Sequence, residues 1–218
     1  MASRPAVPRP RKKVPKWPSL RYERKLWAQG IVYVAGADEA GRGALAGPVY
    51  AAAVILPSDL HRQLRGVRDS KQLTARERQQ LAPRIRQYAL AWAVASASVD
   101  EIDTINILQA SYLATRRALA ALTLAPQHLL LDAIRLAENP LPQTALIGGD
   151  ARSLSIAAAS VLAKTARDAE LSRLDAEFPH YGFAQHKGYA TAAHRAAIAT
   201  YGPCAHHRRS FAPMKAPA

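Results

Sequence analysis

Residues 31–49 read IVYVAGADEAGRGALAGPV, and the division of this stretch decides the fold. The opening run is apolar and β-branched and closes on two acids, Asp38 and Glu39, the pattern of a strand emerging from a core. Gly41 to Gly47 make a tight connection, and residues 48–56 form a second apolar run of strand length, so the two strands pair as a hairpin or near neighbours. Gly36 and Gly41 have the spacing of a phosphate-binding P-loop. Arg42 and Gly43 stand where that motif needs Lys and Ser or Thr, which excludes it.

Working outward, Thr74 and Glu77 have capping-box spacing and predict a helix to about residue 88 despite Pro83. Residues 90–99 alternate as a third strand, and 106–122 carry helical periodicity that Pro126 breaks. A short apolar strand at 128–131 ends on Asp132, and a last strand at 144–147 leads through Gly148 and Gly149 to Asp150. Residues 155–178 read as one long helix whose first half, IAAASVLA, is mostly small side chains suited to lying close against a sheet. A loop, YGFAQHKGY at 181–189, precedes a short helix over 191–200. The expectation is one mixed α/β domain over 29–212 with a helical C-terminal part, a basic Pro-rich tail over 1–28 without regular structure over most of its length, and a frayed end at 213–218.

The 218 residues carry a net charge of +14 with a pI near 10.4, which points to a polyanionic partner such as nucleic acid. Nine basic residues against Glu23 put +8 of that charge in the tail, so the charge argues less strongly for the folded surface. Cys204 is the single cysteine, which excludes an internal disulfide and fits a reducing cytoplasm. No apolar run approaches the roughly 20 residues that span a bilayer, and the N-terminus lacks the apolar core of a signal peptide.

Four acids stand where strands would deliver them to one edge: Asp38, Glu39, Asp132 and Asp150. Any one of them alone reads as an ordinary turn or cap residue. Together they fit two divalent ions, since acids at the ends of buried strands are desolvated and repel one another unless a cation compensates. Asp168 reads either as a surface pair with Lys164 one turn away or as a fifth acid supporting the cluster. Gly41, Arg42 and Gly43 form either a plain turn or one through which a substrate backbone approaches the main chain. Ser70 and Lys71 are a helix cap or a phosphate seat, and Lys187 with Tyr189 in HKGY could grip a phosphate and pack on a sugar or base. Cys204, His206 and His207 lack the second ligand pair that structural zinc requires, and His207, Arg208 and Arg209 read as surface charge or packing support.

These segments resemble bacterial ribonuclease HII, the type 2 ribonuclease H. The resemblance runs from Val32 to Phe211 through GADEAGRGALAGPV, DSKQL, INILQASYLATRRA, LLLDA, GGDARSLSIAAASVLAKTARD, YGFAQHKGYAT and HRRSF, in family order. It implies a ribonuclease H-like fold with a mixed five-stranded sheet flanked by helices. It also implies hydrolysis dependent on manganese or magnesium, acting on RNA/DNA hybrids and on DNA duplexes containing ribonucleotides, by a cytoplasmic monomer. The cut falls 5′ to a ribonucleotide and leaves 3′-hydroxyl and 5′-phosphate ends. Carried over motif by motif, Asp38, Glu39, Asp132 and Asp150 are the catalytic metal ligands and Asp168 supports them. Gly41, Arg42 and Gly43 read the 2′-hydroxyl, while Tyr189 packs on the following deoxyribose. Two positions depart from the family pattern: Ala133 follows Asp132 where glycine is common, and Gly149 precedes Asp150 where many members carry lysine.

Overall fold

A computed structural model describes residues 15, 17–60, 63–137 and 139–214. Five strands form the sheet: β1 (Val34–Ala40), β2 (Val49–Ile55), β3 (Ala91–Ala97), β4 (His128–Asp132) and β5 (Gln143–Leu146). Their order is β3-β2-β1-β4-β5, antiparallel between β1, β2 and β3 and parallel from β1 through β4 to β5. The hairpin read from residues 31–56 is therefore the seed of a mixed sheet with β1 at its centre.

Strand periodicity divides the core in two. Ala35 and Ala37 of β1, with Ala51, Ala53 and Ile55 of β2, join one apolar cluster, against the buried face of α3 (Val99–Ala120). Ala52 and Val54 join the cluster on the other face, formed with α2 (Ala75–Tyr88) and α4 (Leu154–Glu177). The small residues of α4 allow it to lie close against β1, main chain to main chain at Gly36. A Cβ placed on Gly36 would stand 2.3 Å from the main-chain carbon of Ser155, so glycine is required by the approach of helix to strand.

The caps read from sequence form locally. Thr74 and Glu77 make the full capping box of α2, with Pro83 inside the helix. The helix expected over 106–122 begins earlier, because Ser98 and Glu101 make a second capping box. Asn106, at φ 67°, breaks α3 and its side chain accepts from the amides of Leu108 and Gln109, so the sequence reading found only the second of two joined segments.

The boundary of the tail is corrected. Residues 21–27 form α1 (Arg21–Trp27), whose Glu23 is fully buried. Its Oε1 accepts from the Ser153 hydroxyl at 2.6 Å, the Ser155 amide at 3.0 Å and the Ser155 hydroxyl at 2.7 Å. The one acid in a basic segment thus satisfies donors at the N-terminus of α4. The rest of that tail, residues 1–14 and Lys16, lies outside the described residues. At the other end, Met214 packs against a third cluster rather than fraying, and residues 215–218 lie outside the description. The C-terminal part comprises a turn at Pro179–Tyr181, α5 (Phe183–His186) within the segment read as a loop, and α6 (Ala192–Tyr201). It packs on the C-terminal half of α4 through Leu171, Leu174, Tyr181, Phe183 and Ile198.

Gly36→Ala is expected to destabilise by about 3 kcal/mol or more, above the usual cost of one added methyl, because the atoms it meets are backbone. Denaturant unfolding measures it, and a change below about 1 kcal/mol would mean that the helix can retreat from the strand.

Candidate active site

Asp38 lies inside β1, which continues to Ala40, and not at the end of the strand. Adjacent strand residues face opposite sides, so Asp38 shares the α4 face with Gly36 and Glu39 turns away. Asp38 meets Asp132, the last residue of β4, and Asp150, in a 3-10 turn after the left-handed Gly148. One carboxylate oxygen from each of the three lies within 4.8 Å of the others. Glu39 stands outside this group and is paired with Arg42 at 3.2 Å. Its side chain is nonetheless close enough to raise the protonation range of Asp38.

Burial raises Asp38 well above the usual carboxylate range, and the charges of Glu39 and Asp132 add to it, while Ser160 of α4 opposes. Burial also raises Asp150, with Asp69 adding and Lys71 opposing. Glu39 rises through burial against the pull of Arg42. Lys71 reaches Asp150 at 3.3 Å; burial pulls its ammonium down, but Asp150, Asp69 and Asp38 together leave it raised. Three converging carboxylates, two of them buried, form an all-oxygen donor set that suits a hard divalent cation. The group fits such an ion, since a cation removes both the desolvation penalty and the mutual repulsion.

Asp168 is not brought to this group. It bridges Lys164 at 2.6 Å and Arg78 at 3.0 Å, so it ties α2 to α4. Ser70 is buried, its hydroxyl 2.8 Å from that of Ser160, while Lys71 beside it is exposed. Lys187 is at φ 52° with its ammonium on the Ser172 hydroxyl at 2.8 Å and the Asp168 carbonyl at 3.4 Å, and burial pulls it down. The Tyr189 ring is part exposed, 5.5 Å from the Lys164 ammonium and 5.4 Å from the Arg167 guanidinium carbon.

Two residues that the sequence reading gave no functional part shape the glycine turn. Arg208, fully buried, donates to the carbonyls of Gly41 at 2.7 Å, Arg42 at 2.8 Å and Gly47 at 2.8 Å. Arg167, also fully buried, donates to Pro48, Ala46 and Lys187 at 3.1, 3.0 and 2.9 Å. The turn at 41–48 and the segment at 187–189 are thus held by one pair of guanidinium groups. Gly41, at φ +99°, has no room for a Cβ because Arg167 fills the space, whereas a Cβ on Gly43 would meet nothing within 4 Å. The only signal in the sequence was indirect: a tight turn rich in glycine exposes carbonyls that need donors.

Both departures from the family pattern sit beside Asp132. Ala133 adopts φ 53°, the left-handed region that favours glycine. The Gly149 amide donates to Asp132 Oδ1 at 2.7 Å, and a Cβ there would stand 2.7 Å from Ile156 Cδ1, so a side chain at this position requires Ile156 to move.

Two outcomes are expected. Ala133→Gly should raise stability by about 0.5–1 kcal/mol, the left-handed penalty less the added chain entropy; a loss of stability in denaturant unfolding would contradict the strain. The raised Asp38 makes the metal-free fold lose stability as pH rises from the unfolded carboxylate value through the folded one. At neutral pH, Asp38→Asn should therefore raise the melting temperature of metal-free protein and shrink the further rise that magnesium or manganese gives to the wild type.

A model for "Ribonuclease HII" matches residues 35–214. A ribonuclease HII of Anaeromyxobacter sp. (strain Fw109-5) is 56% identical over 196 residues, covering 90% of this chain and 62% of that protein, so the chain spans under two thirds of that relative's length. A ribonuclease HII of Syntrophotalea carbinolica is 54% identical, covering 88% of this chain and 91% of that one. Among solved structures, the ribonuclease H2 of Pyrococcus horikoshii OT3 superposes with a TM-score of 0.70 at 27% identity, covering 84% of this chain and 95% of that chain. With the match extending over the sheet, the three converging acids and the C-terminal part that carries Tyr189, the chain belongs to the ribonuclease HII family of endoribonucleases.

Proposed function

We propose that this chain hydrolyses the RNA strand of RNA/DNA hybrids and nicks duplex DNA on the 5′ side of single embedded ribonucleotides. The carrying observation is the convergence of Asp38, Asp132 and Asp150 within 4.8 Å beside an exposed Lys71. A purely electrostatic binder would gain nothing from acids on its polyanion-binding surface.

Asp38, Asp132 and Asp150 are the residues that hold the divalent ions, with Glu39 completing the set from the other face of β1. Bound magnesium or manganese supplies charge neutralisation at the scissile phosphate and a more acidic water. Water adds to phosphorus as the bond to the 3′ oxygen breaks, which leaves a 3′-hydroxyl and a 5′-phosphate. Lys71 draws the phosphate towards the carboxylates, and the 2.7 Å bond from the Gly149 amide keeps Asp132 oriented. The main chain at Gly41, Arg42 and Gly43 reads the 2′-hydroxyl, the group by which a protein distinguishes RNA from DNA. Open space at Gly43 lets a sugar approach there. Tyr189 packs on the next deoxyribose, its ring set over Lys164, which Asp168 holds in turn. Lys187 stiffens that segment from beneath. The substrate class implies work on ribonucleotides left in DNA, and the proposal includes a monomer acting in the cytoplasm. Among the described residues no helix is long and apolar enough to cross a membrane.

A DNA duplex with one ribonucleotide should be nicked on its 5′ side with magnesium or manganese present, and an all-DNA duplex should stay intact. No cleavage with either metal refutes the proposal. Asp132→Asn keeps an oxygen for the Gly149 amide but loses the charge, so turnover should fall at least about 100-fold with folding retained; normal cutting by that variant would remove Asp132 from the mechanism.

A further inference from the structure

Beneath Tyr189 the chain buries a second polar system that takes no part in the reaction derived above. His194, in the first turn of α6, and His207 are both fully buried, with their Nε2 atoms 3.0 Å apart. The hydrogen bonds around them admit one direction. His194 Nδ1 lies 2.9 Å from the Tyr189 carbonyl oxygen, and a carbonyl only accepts, so that nitrogen carries the proton. In a neutral ring Nε2 of His194 is then the acceptor, and Nε2 of His207 must donate to it. Nδ1 of His207 is left as an acceptor, which the Cys204 amide fills at 3.0 Å with Cys204 Sγ 3.1 Å away. The file runs from Cys204 through His207 and His194 to the main chain of Tyr189.

We propose that His194 and His207 are positioning residues for Tyr189, acting through this directional file to fix its main chain and so the placement of its ring over Lys164 and Arg167. The proposal rests on the reading of Tyr189 as the residue that packs on the deoxyribose. The Tyr189 carbonyl also accepts from the Thr191 amide at 2.8 Å, so both of its lone pairs are used. The preceding residue is held as well: the Gly188 amide donates to His186 Nδ1 at 3.2 Å, and the His186 ring stacks on His194 with centroids 4.3 Å apart. The Gly188 carbonyl accepts from the Leu45 amide at 2.8 Å, which joins this segment to the glycine turn. Burial keeps the file intact at neutral pH, since it lowers both rings and, with the neighbouring His194, brings His207 down to about 4.

Two measurements test this on the full chain. A long-range proton–nitrogen NMR spectrum at pH 7 should show His194 protonated on Nδ1 and His207 on Nε2; the opposite tautomer at either ring overturns the file. Cleavage of a duplex with one ribonucleotide is then compared with cleavage of a continuous RNA/DNA hybrid, and the ratio of the two kcat/KM values is read. His194→Ala should lower this ratio about tenfold, part of the worth of an aromatic stacking contact. His194→Asn, whose amide nitrogen replaces Nδ1, should restore most of it. A merely structural histidine would lower both rates together in step with the melting temperature, and that result refutes the proposal. Tyr189→Ala in parallel separates the two ideas. If it leaves the ratio unchanged, the reading of Tyr189 fails; if it moves the ratio and His194→Ala does not, the positioning role alone fails.

Discussion

The direct seating of α4 on β1 is the contact on which the other features depend. Gly36 has no side chain and the first half of α4 is rich in alanine and serine, so helix and strand meet backbone to backbone at Ser155. Any larger residue would lift the helix by ångströms, and close-packed interiors do not absorb such shifts. At that distance Ser160 comes up against Asp38, and Arg167 and Asp168, further along the same helix, come within reach of the glycine turn and α2. Glu23 secures the near end of the helix by taking up the donors of Ser153 and Ser155.

Given that seating, the acidic site stores unfavourable electrostatics in a rigid frame. Parallel pairing of β1 with β4 brings Asp132 beside Asp38, and the left-handed turn at Gly148 brings Asp150 to them. None of the three can retreat, because each belongs to a strand or a tight turn. The raised carboxyls of Asp38 and Asp150 are what burial and crowding of acids in such a frame produce, and a cation relieves both. The surrounding cations are mostly tied elsewhere: Lys164 and Arg78 to Asp168, Arg42 to Glu39.

The glycine turn and the segment before Tyr189 are organised by buried donors. The hydrogen bonds described for Arg167 and Arg208 all go to main-chain carbonyls, and a guanidinium group with several well-directed donors suits that task better than an ammonium. His194 does the same for the Tyr189 carbonyl, with His207 behind it. The turn at 41–48 and the segment at 187–189 are therefore joined by shared hydrogen bonds.

Local pattern made much of this legible. Alternation and apolar runs located the strands, capping boxes set the start of α2, and the small residues of 156–163 announced a close-lying helix, because each of these depends on neighbours in sequence. Asp38, Asp132 and Asp150 stood out as acids closing apolar runs. Sequence could not separate Asp38 from Glu39, since their adjacency says nothing about which face of the sheet each takes until β1 is known to continue through both. Nor could it show that Glu23 is a buried cap, that Arg208 is an internal brace, or that Asp168 joins two helices. Those roles belong to partners 90 to 167 positions away, and only the tertiary fold decides which donors and acceptors are left without water and must find each other.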